Sequence, residues 1–275
     1  MIASEQALDA PAKTPARNGV RLKTIALPVE HGGWGFLLEP MALGLLLAPS
    51  LPGGFLALSA VAFFLARQPL TLVALNRHRY SPRTAWARIF AALYVLIGIS
   101  TFSAAVIFRD HSFILPLALA APLAAVQLIY DWSGRKRVLF AELCGTAAIS
   151  AMAAALALAG GWPRNASFAL WAIMIARAVP AIFYVRGCLA RLHRRAASPL
   201  PIWLAHAAAL VLVALLARSG LAPRLAVAAM LILAVRAEIG FRSLQLTPKQ
   251  LGFSEIGFGG LTVLAVVLGW SMGIG

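Results

Sequence analysis

The chain has 275 residues, 61% of them hydrophobic and only 12% charged, with a mean hydropathy of +0.85. That composition excludes a soluble domain and a disordered chain, because repeated apolar runs of roughly 20 residues are what membrane-spanning helices require. The formal net charge of +15 does not point to nucleic acid, because the basic residues are scattered among short connections and not gathered into one polar module.

In chain order, residues 1–24 are polar and carry Pro11, Pro15, Lys13, Arg17, Arg21 and Lys23 with no apolar core. They predict a disordered cytoplasmic tail, not a signal peptide. Residues 25–275 predict a single transmembrane helical domain. Its spans are expected near 34–49, 55–75, 86–108, 113–130, 138–160, 168–188, 201–217, 221–239 and 251–272. The fold class is therefore all-α: a polytopic membrane protein of about nine helices. Nineteen of the 24 Lys and Arg residues fall on the side of the tail and four on the other, with Arg177 inside a span. The positive-inside rule then places the amino terminus in the cytoplasm and the carboxyl terminus outside. Cys144 and Cys188 lie in apolar or near-apolar surroundings with no metal-ligand or CxxC spacing, so neither a disulfide framework nor a zinc site is expected.

The densest polar feature is Glu30-His31-Gly32-Gly33-Trp34-Gly35, with Glu39-Pro40 just after it. Glycines allow close backbone approach, and Trp favours the membrane interface. Glu39 sits within an apolar run, where an ionised group needs a partner or a purpose. Arg67 and Gln68 stand about two turns before Asn76-Arg77. If the helix runs through Pro69, Arg67 either snorkels to the headgroups or faces a polar cavity. In the sixth span Arg177, Tyr184 and Arg191 recur every seven residues and share one face, with Cys188 and Arg195 nearby and Arg186 about two and a half turns beyond Arg177. Arg177 is too deep to be a loop charge, and Glu39 or Glu142 is its expected partner. Such an arginine either locks helices together or forms a cationic wall for an anionic head group. Arg236, Glu238, Arg242, Gln245 and Lys249 form a stripe at helical spacings if the helix extends, with Glu238 and Arg242 a favourable i,i+4 pair, and the stripe is expected to be structural. Asp131 beside Arg135-Lys136-Arg137 predicts a surface salt bridge, and His206 a hydrogen bond between helices. No close histidine pair suggests a metal site.

The segment Glu30 to Gly35 with Glu39-Pro40, together with Arg67-Gln68-Pro69-Leu70 and Tyr184-Val185-Arg186, resembles the signature of the YwiC-like family of bacterial integral membrane proteins. That likeness implies a bacterial inner (plasma) membrane location and carries no activity. More distantly, nine spans with an inside amino terminus are similar to the UbiA superfamily of intramembrane prenyltransferases. Tyr130 followed by Arg135-Lys136-Arg137 and a span containing Gly145 resembles that superfamily's fourth-to-fifth connection. Those enzymes hold magnesium and a prenyl diphosphate with two aspartate-rich motifs. The corresponding stretches here are Asn76 to Tyr80, where only the Asn fits, and Tyr184 to Arg195, which has no acid. The resemblance therefore implies a site without a magnesium cage and with no cofactor. Arginines stand where aspartates would hold a cation, and guanidinium groups bind anions directly.

The first expectation is a cytoplasm-facing cationic cavity for an anionic lipid or isoprenoid phosphate, with a UbiA-like transferase as its catalytic form. Glu30, His31 and Glu39 are the candidates for proton transfer. Trp34, Arg67, Gln68, Asn76, Arg77, Glu142, Arg177, Tyr184, Arg186 and Arg191 are the candidates for substrate binding. The alternatives are a small-anion transporter and a structural partner of a membrane complex that packs through small-residue faces such as 151–161. The bilayer is the expected partner, and nucleic acid is not.

Overall fold

The computed structural model describes residues 22–27, 31–77, 81–108, 111–135, 137–243 and 246–273. The predicted tail up to Arg21, Glu30 and Gln245 lie outside the described residues, as does the side chain of His31. The described residues form α1 (Lys23–Ala26), α2 (His31–Leu47), α3 (Leu51–Leu75), α4 (Pro82–Phe108) and, after a 3₁₀ turn at His111–Phe113, α5 (Ile114–Trp132). There follow α6 (Leu139–Ala159), α7 (Arg164–Leu192), α8 (Leu200–Arg218), α9 (Arg224–Ser243) and α10 (Pro248–Ser271).

The nine expected spans correspond to α2 through α10. Seven of them are long and apolar enough to cross a membrane. The two exceptions have physical reasons. Helix α2 has 17 residues, at the lower limit for crossing the hydrocarbon core. Helix α9 holds Arg224, Arg236, Glu238 and Arg242, so any long stretch of it carries several charges. The chain is an integral membrane protein built as a helical bundle.

Small residues set the packing. Helix α6 is buried without a break from Ser150 to Ala159 and lies between α2, α5 and α7. With lipid outside there is little hydrophobic drive between helices, so close backbone approach has to hold them. A Cβ at Gly44 would come within 3.0 Å of the Ala153 carbonyl, and Trp171 donates its indole N–H to the Ala147 carbonyl at 2.9 Å. The small-residue face at 151–159 is thus used inside the chain itself and not presented to a partner. Helices α3 and α4 form a tight hairpin, tied by Ser59 Oγ to the Gly98 carbonyl at 2.9 Å. Helices α3 and α5, by contrast, meet sparingly, which leaves space on that side of α6.

Helix ends are closed by sequence-coded devices. Ser50 caps α3, and Thr247 with Gln250 forms a capping box that starts α10. That cap is why α9 stops at Ser243 and does not extend to Lys249 as the charge spacing allowed. At the end of α7 the Arg194 N–H reaches the Arg191 carbonyl and the Arg195 N–H the Ala190 carbonyl at 2.8 Å. This is a Schellman closure, and its left-handed position is usually glycine. Equivalent closures use Gly134, Gly161 and Gly220, but here the residue is Arg194 with φ 55°. Arg194→Gly is expected to raise stability by about 1 kcal/mol by relieving that conformation, seen as a higher unfolding temperature in detergent.

A cavity with an ion-paired wall

Between α2, α3 and α5–α7, and floored by α10, lies a cavity of about 1210 Å³. Its charged residues gather toward the end that carries the basic connections. Arg137, Arg186, His193 and Arg195 stand at the rim with Glu142, and Arg67 and Gln127 lie on the wall. Glu39, Arg177 and Glu255 line it deeper in, and Phe63, Phe64, Phe102, Leu117 and Met152 form its apolar part. On α7 the nine residues from Arg186 to Arg177 correspond to roughly 13 Å of depth.

The deep charges form a four-helix cluster. Arg177 on α7 donates Nη2 to the Glu255 carbonyl oxygen at 2.7 Å and Nη1 to its carboxylate at 3.2 Å. The same Nη2 lies 3.5 Å from Glu39 Oε1 on α2. Arg236 on α9 donates twice to Glu255 on α10, at 2.6 and 3.3 Å. Its guanidinium also stacks 4.1 Å over the Tyr184 ring and 4.7 Å from the Phe258 ring centre, a desolvated cation–π arrangement. Arg177 is 1% exposed. Two buried guanidiniums and two carboxylates thus neutralise one another, the condition under which charge persists in such a setting.

Two further pairs sit nearer the rim. Arg67 grips Asp131 with two donors, one of them at 2.9 Å, and Gln127 Nε2 donates to the same carboxylate at 2.8 Å. Arg186 pairs with Glu142 at 2.8 Å and also donates to the Arg137 carbonyl oxygen at 3.0 Å. Arg137 and Arg195 have no acidic partner among the described residues.

The cavity therefore brings together Glu39, Arg67, Glu142, Arg177 and Arg186 of the expected site residues. The other described ones are placed elsewhere. Trp34 packs edge-on against Phe64 at 5.2 Å behind the wall. Gln68 is half-buried on α3 and off the wall. Asn76 Nδ2 donates to the Leu72 carbonyl and finishes α3, with the exposed Arg77 just beyond it. Tyr184 is buried against α9, so close to Gly240 that an added Cβ there would overlap its hydroxyl. Arg191 lies 4.9 Å from the Phe241 ring centre. The seven-residue face of α7 is thus turned mainly onto α9, and Arg177 alone of the three reaches the cavity.

Several expected pairings are corrected. Glu142 belongs to Arg186 and not to Arg177, because it stands one turn into α6 at the rim, far above Arg177. Asp131 is not a surface loop acid: it is 0% exposed and faces inward from the last turn of α5 to take Arg67. Arg67 accordingly faces a polar cavity. His206 does not bridge helices; its Nδ1 contacts the Ile202 carbonyl of its own helix at 2.8 Å. Glu255 and Arg236 escaped notice as site residues. Glu255 carries the same signal as Glu39, an acid within an apolar span.

Residues 27–157, just under half of the chain, match the family model described as YwiC-like protein. No curated protein and no solved structure matches the chain. The matched stretch supplies Glu39, Arg67, Asp131 and Glu142, whereas Arg177, Arg186, Arg236 and Glu255 come from the remainder. The deep cluster and the Arg186–Glu142 pair therefore tie the matched part to the rest.

Proposed function

We propose that this YwiC-like membrane protein binds an amphiphile with an anionic head, an anionic lipid or an isoprenoid phosphate, in the cavity between α2, α3 and α5–α7. The supporting observation is the polarity of that single cavity, charged toward one end and apolar toward the other. On α5 the wall runs from Leu117 to Gln127 and the buried Asp131 behind it, so the apolar part extends roughly 20 Å from the charged end. A chain-bearing ligand matches both parts at once. The positive-inside rule puts the charged end in the cytoplasm, and Arg137 and Arg195, which no acid among the described residues neutralises, are placed to capture the head. The apolar far end favours binding over conduction of a small anion. A UbiA-like group transfer is the catalytic form of the same reading, with Glu39 the member of the expected proton-transfer set that lines the cavity.

Native mass spectrometry of the mildly solubilised protein tests the reading. Wild type is expected to retain an anionic lipid or isoprenoid phosphate. Arg137→Ala with Arg195→Ala is expected to lose at least tenfold in occupancy, since each charge-assisted hydrogen bond contributes about 1.5–3 kcal/mol. Identical bulk-lipid adducts on both proteins would argue against it.

A further inference from the structure

Arg177 treats its two carboxylates unequally. Glu255 is held at three points by its own carbonyl and carboxylate on Arg177, at 2.7 and 3.2 Å, and by Arg236 at 2.6 Å. Glu39 touches Arg177 only at 3.5 Å, the outer limit of a charge-assisted bond. Arg177 also has an unused donor: among the described residues its buried Nε meets no acceptor. The side chain is 99% buried yet forms part of the cavity wall. The guanidinium thus has one fixed partner, one loose partner and one idle N–H at a surface the cavity reaches.

The loose partner sits in a narrow slot. A Cβ at Gly259 would overlap the Glu39 carboxyl, and one at Gly35 would stand 3.6 Å from Glu39 Oε1. Pro40 next to Glu39 and Pro180 close to Arg177 interrupt the hydrogen-bond ladders of α2 and α7. Those helices are therefore weakest at the level of this contact.

We infer that Glu39 is the exchangeable counter-ion of Arg177: the anionic head of the cavity ligand takes its place on the guanidinium, and Glu39 takes up one proton from the bulk solvent as it lets go. The inference rests on the amphiphile-binding reading and adds to it a second station, with the rim arginines capturing the head and Arg177 seating it. Charge accounting requires the proton. Glu39, Arg177, Glu255 and Arg236 sum to zero, and a monoanion added to them would leave one uncompensated buried negative charge. Protonating Glu39 restores neutrality with no bond other than O–H formed. Among the described residues, the charged groups that share the cavity with Glu39 are engaged, and the imidazole on its lining is His193, out at the rim. From α7 it faces Arg177, and from α10 Glu255, which Arg236 holds from α9. Helices α6 and α3 bring Glu142 and Arg67 to the same cavity, each already paired, with Arg186 and Asp131. Among the described residues Tyr184, stacked on Arg236, and His206 on α8 are further titratable groups near the cluster, and both are off the cavity wall.

The test uses the full chain in phosphatidylcholine nanodiscs with decyl sulfonate, a monoanionic amphiphile whose head does not titrate near neutral pH. Wild-type affinity is expected to fall about tenfold per unit rise in pH wherever unliganded Glu39 is ionised. A pH indicator in weak buffer should record one proton taken up per ligand bound. Glu39→Gln, nearly isosteric, should bind with no pH slope and no proton uptake, and His206→Gln should keep both; the unfolding temperature of each variant confirms its fold. A slope that survives Glu39→Gln, or one abolished by His206→Gln, overturns the inference. Binding that is independent of pH in wild type but weakened by Arg195→Ala overturns it while leaving the amphiphile reading intact. No saturable binding at any pH overturns both.

Discussion

Glu255→Ala is expected to destabilise the protein by roughly 3–5 kcal/mol, the cost of breaking a buried ion pair by removing one side of it. The figure stands at the high end for single substitutions because one carboxylate serves two guanidiniums. Arg177 would fall back on Glu39 at 3.5 Å. Arg236 would have no other carboxylate partner among the described residues, and only the faces of Tyr184 and Phe258 would remain to it. Because Glu255 ties α10 to α7 and α9 together, the loss should appear as early release of α10 in hydrogen exchange before the global unfolding transition. Arg236→Met in the same background should recover a substantial part of the loss by removing the stranded charge. A double-mutant cycle measured by unfolding in mixed micelles gives that coupling. An additive pair would show that Arg236 owes little to Glu255.

The helices were legible because membrane spans announce themselves by length and apolarity, which need no knowledge of neighbours. Capping at Ser50 and at Thr247 starts α3 and α10 at Leu51 and Pro248, ahead of the expected 55 and 251, because a cap is a local signal that apolarity does not show. The partners of charged residues were legible only in part: the Glu238–Arg242 pair within α9 and the Arg177–Glu39 contact were expected and are present, but most pairing between helices depends on which helices adjoin and at what depth. Arg177 was visible as a buried cation, yet its choice of Glu255 over Glu142 follows from α10 packing against α2 beside the slot at Gly259. Asp131 illustrates the same limit. In sequence it adjoins three basic residues, but being in the last turn of α5 points it the other way, onto α3. The seven-residue face of α7 was recognised as a face, while its neighbour, α9 with Gly240 and Arg236, required three dimensions.

The Arg67–Asp131 pair leads to an unequal result for its two members. Asp131 is 0% exposed and the Arg67 side chain 29%. Removing the arginine in Arg67→Ala leaves a fully buried carboxylate with Gln127 as its remaining donor among those described here, and about 3–5 kcal/mol of destabilisation is expected. Removing the charge from the other side, in Asp131→Asn, keeps the volume and leaves a long cation already partly in solvent. Arg67 can then turn its head toward the rim, and the cost should be only about 1–2 kcal/mol. Unfolding of both single variants and the double variant in the same detergent reads the asymmetry directly. Equal costs would mean that Arg67 is as confined as Asp131 and that the cavity mouth is drier than its lining implies. The asymmetry also bears on binding. In Asp131→Asn the cavity wall gains one net positive charge, so capture of decyl sulfonate should strengthen, whereas Arg67→Ala should weaken it. Stability and affinity would then shift in opposite directions in Asp131→Asn, which separates the arginine's electrostatic role in the cavity from its part in holding α3 to α5.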